Sequence, residues 1–265
     1  MRFSDLLDAV RSSPHELSIP AEWAQGRASF GGLVAALQYE AMRAKVPADR
    51  PVRSLAITFV GPAEPDVPIR FEVEVLREGK AVSQVLGRAL QNGQVVTLVQ
   101  GSFGASRPSE IEVVAEPAPE MKHWDDCQEL PYIKGVTPEF MRHLAMRWSV
   151  GGLPFTGNKS RDMGGWVRLR GDVKEEAVTE AHILALVDAW PPALLPHLKK
   201  PAAGSTLTWT IEFVQPLQAL STLDWCKYLV EIEHARDGYG HAAAALWSAE
   251  GQLIALSRQT VTIFA

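Results

Sequence analysis

Cysteines and long apolar runs are scarce in this chain, and each scarcity excludes something. Its 265 residues hold two cysteines, Cys127 and Cys226. Two thiols that far apart make neither a metal-ligand spacing nor a disulfide framework, so free, buried or half-buried thiols in a reducing compartment are expected. No apolar run reaches the roughly 18 residues that a membrane-spanning helix needs. The opening MRFSDLLDAVRSS sets acids among its apolar residues and has no signal-peptide core, so a cytoplasmic protein without a membrane partner is expected. Basic residues are outnumbered, 26 against 31 acidic, for a net charge of −5. No Lys/Arg cluster interleaved with aromatics offsets that balance, which argues against nucleic acid as a partner. There is no G-x-S-x-G support for Ser–His–Asp catalysis and no cluster of metal ligands, so no metal site is expected.

What remains is ordinary for a soluble globular protein: 46% hydrophobic and 22% charged residues, enough to bury a real core. The length allows one large domain or two of ordinary size. Phe3–Val10 reads as a short amphipathic piece. Ser29-Phe30-Gly31-Gly32 then opens LVAALQYEAMRAK, a helical pattern apolar on most sides that Pro47 stops. A helix apolar over so much of its circumference is expected to be wrapped by other structure. The glycines before it allow close backbone approach. They also leave unpaired N–H groups at the helix start, a ready site for partial negative charge.

From Arg53 the period changes. SLAITFV, IRFEVEVLREG, KAVSQVLGRALQNG and QVVTLVQGSFG are β-rich or alternating runs, with Glu78-Gly79 and Asn92-Gly93 read as hairpin turns. A helix followed by an antiparallel meander is an α+β arrangement. Residues 106–138 differ: prolines 108, 117, 119, 131 and 138 are mixed with acids and little periodicity, as in a linker. Trp124 and Tyr132 suggest that it packs at points. The expected organisation is therefore a first unit at 1–105, the linker, and a second unit at 139–265.

The second unit repeats the first. Strands are expected near Phe140–Trp148 and Trp166–Leu169, then a helix, then strands in the same order. Phe59-Val60-Gly61-Pro62 matches Phe213-Val214-Gln215-Pro216, and Gln91-Asn92-Gly93-Gln94 matches Ala249-Glu250-Gly251-Gln252. Two matched anchors at nearly equal spacing indicate a duplicated unit. Two such sheets can join edge to edge, which protects their edges. In the second helix Ala181, Leu184, Ala185 and Asp188 fall at i, i+3, i+4 and i+7, which puts a carboxylate on an apolar stripe. Pro191 and Pro192 follow, so Asp188 lies in the last turn, where the macrodipole favours cations. An acid set against both packing and dipole is either hydrogen-bonded structurally or kept for chemistry.

A long apolar helix inside a curved antiparallel sheet, repeated in tandem, resembles the double hotdog fold. SFGGLVAALQ followed by VEVLREGKAVSQVLGRALQNGQVV looks like the N-terminal signature of the acyl-CoA thioesterase II family, the TesB-like thioesterases. The resemblance implies hydrolysis of acyl-CoA to free fatty acid and CoA, with no cofactor beyond the CoA of the substrate. A homo-oligomer, a dimer of double hotdogs, is also expected. Three catalytic residues are implied: Asp188 in LALVDAW, Thr206 in GSTLTWTIEFVQP and Gln259 in ALSRQTVTIF. Together they would activate and orient a water for direct attack. Gly31 and Gly32 are candidate substrate-binding residues through their backbone N–H groups.

Each residue has a plainer reading. Simple alternation places Leu207, Trp209, Ile211 and Phe213 on one strand face and Thr206, Thr208 and Thr210 on the other, where Thr suits any sheet surface. Thr208 is thus an alternative hydroxyl or a substrate contact. Gln259 alternates with Ser257 and Val261 and can be a mere surface polar. Trp166, Trp190 and Trp209 are candidates for an acyl channel or simply core. His182 has no spaced partner and reads as structural or exposed. Two other functions stay open at this point. One is a non-catalytic acyl-CoA-binding protein; the other is a hotdog enoyl-CoA hydratase, which would want an Asp/His pair that the chain lacks after Asp188.

Overall fold

The apolar stripe of the first segment and the change of period at Arg53 set the first elements. The protein is described here by a computed structural model covering residues 1–13, 16–170 and 175–265. Helix α1 (Phe3–Ser12) buries Phe3, Leu6, Leu7 and Val10, an i, i+3, i+4, i+7 stripe. Strand β1 (Glu16–Ser18) is an edge piece, and β2 (Ala24–Gln25) with β3 (Ala28–Ser29) forms a tiny ribbon leading into α2 (Gly31–Arg43). Helix α2 is buried from Gly32 to Met42, as its all-round apolar pattern requires.

The meander is β4 (Val52–Phe59), β5 (Pro68–Glu78), β6 (Val82–Gln91) and β7 (Gln94–Gly104). Asn92 and Gly93, at φ of 50° and 76°, make the tight turn between β6 and β7. The second half has β8 (Leu144–Val150), β9 (Asp162–Leu169) and α3 (Glu180–Asp188). It continues with β10 (Ala203–Phe213), β11 (Cys226–Arg236), β12 (Tyr239–Trp247) and β13 (Leu253–Phe264). Among the described residues, eleven strands form one sheet in the order β1-β5-β6-β7-β4-β10-β13-β12-β11-β9-β8. The halves meet edge to edge where β4 pairs antiparallel with β10, Thr58 opposite Thr208 and Ser54 opposite Glu212. A continuous core fills the space between the inner sheet face and helices α2 and α3.

The duplication extends to single hydrogen bonds. Val60 N–H donates to the Val96 carbonyl at 2.9 Å, and its match Val214 donates to the Ile254 carbonyl at 2.9 Å. Each unit also carries a bulge at the same place. Register slips between Val52 and Ser54 on β4, and between Thr206 and Thr208 on β10.

Two expectations need correction. The strand expected at Phe140–Trp148 begins only at Leu144, because Pro138 starts a 3₁₀ turn over Glu139–Arg142. That turn lays Phe140 flat on Phe30, with ring centroids 4.2 Å apart. The second helix is not long: α3 has nine residues against thirteen in α2, closed by Pro191-Pro192 just beyond its end. Between the halves, Ile111, Val113 and Val114 lie exposed on an irregular segment, whereas Trp124 packs edge-on against Trp166. Both cysteines are free and buried. No helix among the described residues is long and apolar enough to cross a membrane.

Candidate active site

Asp188 closes α3, and the approach of α2 determines its surroundings. The two helices lie head to tail. Tyr39 near the end of α2 donates to Glu180 at the start of α3 (3.2 Å), while Gly31-Gly32 at the start of α2 face Asp188. A Cβ on Gly31 would stand 3.0 Å from Asp188 Oδ2, and one on Gly32 would stand 2.9 Å from Asp188 Cβ. Only glycine permits that approach, and it brings the Gly32 N–H to the carboxylate. The N-terminal end of α2 therefore meets the acid that the end of α3 disfavours.

Gln259 on β13 donates through Nε2 to Asp188 Oδ1 at 3.2 Å. Desolvation pushes the Asp188 pKa up to about 7, against the opposing pull of the Gln259 and Gly32 hydrogen bonds. Some solvent still reaches Asp188, whose neighbours Leu184, Ala185 and Val187 are buried. A carboxylate with this pKa changes charge near neutrality and can take up and return a proton there.

The bulge on β10 changes the reading of its threonines. Simple alternation would put Thr206 with Thr208 and Thr210, but Leu207 is an extra residue in the register. Thr206 pairs with Val261 and Trp209 with Gln259, so Thr206, Trp209, Val261 and Gln259 share the inner face. Thr208 pairs with Thr260 and with Thr58 of β4 on the outer face, where it is exposed. The expectation that Thr208 shares a face with Thr206 is thus corrected, and Thr208 lies on the opposite side of the sheet from Asp188. Among the described residues the Thr206 hydroxyl makes no hydrogen bond.

The three candidate tryptophans separate. Trp190, two residues past α3, stacks on Tyr228 at 5.1 Å and 6° and lines a narrow cavity with Tyr228, Ser257 and Gln259. Trp209 is fully buried and donates from Nε1 to Ser257 Oγ at 2.8 Å, a core role. Trp166 donates to the Lys122 carbonyl and packs under Trp124, away from the inner face. His182 is structural: buried near the start of α3, it accepts the Thr179 N–H at Nδ1, and desolvation holds its pKa down to about 4. A wider cavity, lined by Arg2, Arg142, His143 and Arg170, lies at that far end of α3 and not at Asp188. Sequence reasoning missed Tyr228. In CKYLVEIE it alternates with Cys226, Val230 and Ile232 and reads as one more core residue. Among the described residues no group of three or more His, Cys, Asp or Glu is placed to hold a metal.

Two helix-on-sheet units, joined edge to edge with their helices meeting at a perturbed carboxylate, make this protein a double hotdog. Solved structures agree on the fold. A hot dog protein of unknown function from Alicyclobacillus acidocaldarius superposes with a TM-score of 0.79 at 22% identity, over 94% of this chain and 92% of that one. A TesB protein from Mycobacterium avium gives 0.77 at 18% identity, over 99% and 100%.

Sequence matches define the family. The acyl-CoA thioesterase N-terminal domain model matches residues 19–104, and the C-terminal domain model matches residues 124–263. Acyl-CoA thioesterase 2 of Haemophilus influenzae is 27% identical over 253 residues, covering 88% of this chain and 86% of that protein. The chain belongs to the acyl-CoA thioesterase family, as a TesB-like thioesterase II. It is a thioester hydrolase.

Proposed function

We propose that the protein hydrolyses acyl-CoA by direct attack of a water held between Asp188, Thr206 and Gln259, with Asp188 as general base. The observation that carries this reading is the carboxylate itself: desolvated, hydrogen-bonded by Gln259, set against the start of α2, and poised near pH 7. The water gives its proton to Asp188 as its oxygen bonds to the thioester carbon. The C–S bond then breaks, the sulfur leaves with the electron pair, and Asp188 returns the proton to it. Fatty acid and free CoA result, and no covalent acyl-enzyme or cofactor is required. The Thr206 hydroxyl, on the Gln259 face and without a partner of its own, is available to orient the water. Trp190 contributes a wall of the acyl site. Gly32 serves by holding Asp188, which supports a positioning role in place of a direct substrate contact for its N–H.

The same reading takes the enzyme as a cytoplasmic homodimer. Small and polar side chains such as Ala56, Thr58, Thr208 and Thr210 on the outer sheet face suit a flat contact, and sedimentation checks it.

The test is free-thiol release from a panel of acyl-CoAs, short to long, by wild type and Asp188→Asn. Turnover should fall by about 10²-fold or more in the variant, the loss typical of a missing general base. Because only ionised Asp188 accepts the proton, wild-type kcat/KM should rise with pH and level off above about 7. Unchanged turnover in the variant would remove Asp188 from the mechanism. Tight binding of acyl-CoA without thiol release would make the protein a binder.

A further inference from the structure

The proposed reaction places negative charge on the thioester oxygen, and a donor must meet it. The Gly32 N–H lies toward the Asp188 carboxylate and favours its charged form, so a donor on the other side of the site is sought. Tyr228 on β11 is differently placed. It is 6% exposed, yet among the described residues its hydroxyl has no hydrogen-bond partner. Its side chain lines the narrow cavity that Gln259 and Trp190 also line, on the inner face of the sheet. The ring is held by its 6° stack on Trp190, which in turn packs against Trp148 at 5.1 Å. The hydroxyl oxygen itself is not sealed off, and an unpartnered donor that faces a cavity lined by Gln259 is open to a ligand.

Resting on the acyl-CoA hydrolysis argued above, we propose that Tyr228 is a catalytic residue whose hydroxyl donates to the thioester oxygen as it becomes an oxyanion. Water oxygen bonds to the carbonyl carbon while the C=O π pair moves onto oxygen, which accepts the Tyr228 O–H hydrogen bond. The phenol keeps its proton throughout. On collapse the pair re-forms C=O, the C–S bond breaks with its electrons on sulfur, and the proton on Asp188 passes to that sulfur. Burial and the neighbouring Asp188 charge both raise the Tyr228 pKa, so the hydroxyl stays protonated and remains a donor over the working pH range.

Tyr228→Phe removes the oxygen and keeps the stacked ring, so it separates chemistry from packing. With the best substrate of the acyl-CoA panel, kcat should fall by about 10²-fold while KM stays within about threefold, as expected when a transition-state donor is lost. The melting temperature should not fall, since the hydroxyl has no partner to lose. A CoA trifluoromethyl ketone, which binds as an oxyanion-like adduct, should lose affinity by a similar factor. An alkyl thioether of CoA, lacking the carbonyl, should bind unchanged. Turnover within about threefold of wild type in Tyr228→Phe, with Asp188→Asn inactive, would overturn this assignment and leave the hydrolytic reading standing. Equal weakening of both analogues would also overturn it, by showing a packing role. Unchanged turnover in Asp188→Asn would instead remove the water-attack reading, and this assignment with it.

Discussion

The two hotdog units share a fold down to the bulge on β4 and β10, and they differ in what the matched positions carry. Counting from the matched anchors, Thr206 on the β10 bulge corresponds to Val52 on the β4 bulge, and Gln259 on β13 corresponds to Gly101 on β7. Val52 is fully buried. A Cβ on Gly101 would stand 2.8 Å from Met42 Cε, so the space that Gln259 uses in the second unit holds a methionine side chain in the first. One unit is therefore packed at the place where the other is polar. The first unit is still part of the site, because its helix start supplies the Gly32 N–H to Asp188. The two equivalent frames thus differ in content: one is packed core that brings a helix start to Asp188, and the other holds the side chains proposed to react.

That contrast can be broken at Asp188, where the largest effect is expected. Beyond the loss of turnover, Asp188→Asn should stabilise the protein at high pH. The folded-state pKa of about 7 lies above the ordinary carboxylate value of 3.8. Stability contributed by the protonated group is fully present below about pH 4 and is lost as pH rises through 7. The isosteric amide carries no charge, so its advantage should be absent at pH 4. At pH 8 it should reach about 1–3 kcal/mol, after discounting for the water that still reaches the carboxylate. Urea denaturation at both pH values measures it; a variant less stable at pH 8 would mean that the charge is better satisfied than its surroundings indicate.

Gln259→Ala makes the second unit resemble the first at the matched β7 position. Its hydrogen bond pulls the Asp188 pKa down, so its removal should move the midpoint of the kcat/KM profile to higher pH. A fall in kcat of about tenfold should accompany the shift, in the range for one lost orienting hydrogen bond. An unmoved midpoint would show that the 3.2 Å contact does not tune the base.

Thr206→Val, which writes the first unit's residue onto the second unit's bulge, should lower kcat by about tenfold with little change in melting temperature. The control is Thr208→Val. Exposed on the outer face, it should leave turnover within about twofold. If the two variants exchanged these effects, the bulge would not set which threonine faces Asp188.

Much of this frame was legible from residue patterns. The all-round apolar run after Gly31-Gly32 required a wrapped helix, and α2 is buried along nearly its whole length. The i, i+3, i+4, i+7 stripe placed Asp188 on a buried face, and Pro191-Pro192 placed it at a helix end. The paired Phe-x-x-Pro and turn anchors exposed the duplication, because strand period and turn chemistry are local. The same locality misjudged Phe140, where Pro138 and the stack on Phe30 replaced a strand with a 3₁₀ turn.

The site divides along the same line. Residue types and their spacing by themselves determined that there are two units, that a carboxylate sits at the end of the second helix, and that Thr206 and Gln259 stand on the strands after it. Only the tertiary structure decided three further things. The bulge, set by pairing between β10 and β13, turned Thr206 inward and left Thr208 outside. The head-to-tail crossing of α2 and α3 gave Asp188 the Gly32 N–H from a glycine more than a hundred residues away in sequence. Packing of Tyr228 against Trp190 put an unpartnered hydroxyl into the cavity beside Gln259. Periodicity reports which face a side chain takes within one regular element. It carries no information about an added residue in a ladder, or about which distant backbone will lie within hydrogen-bond reach.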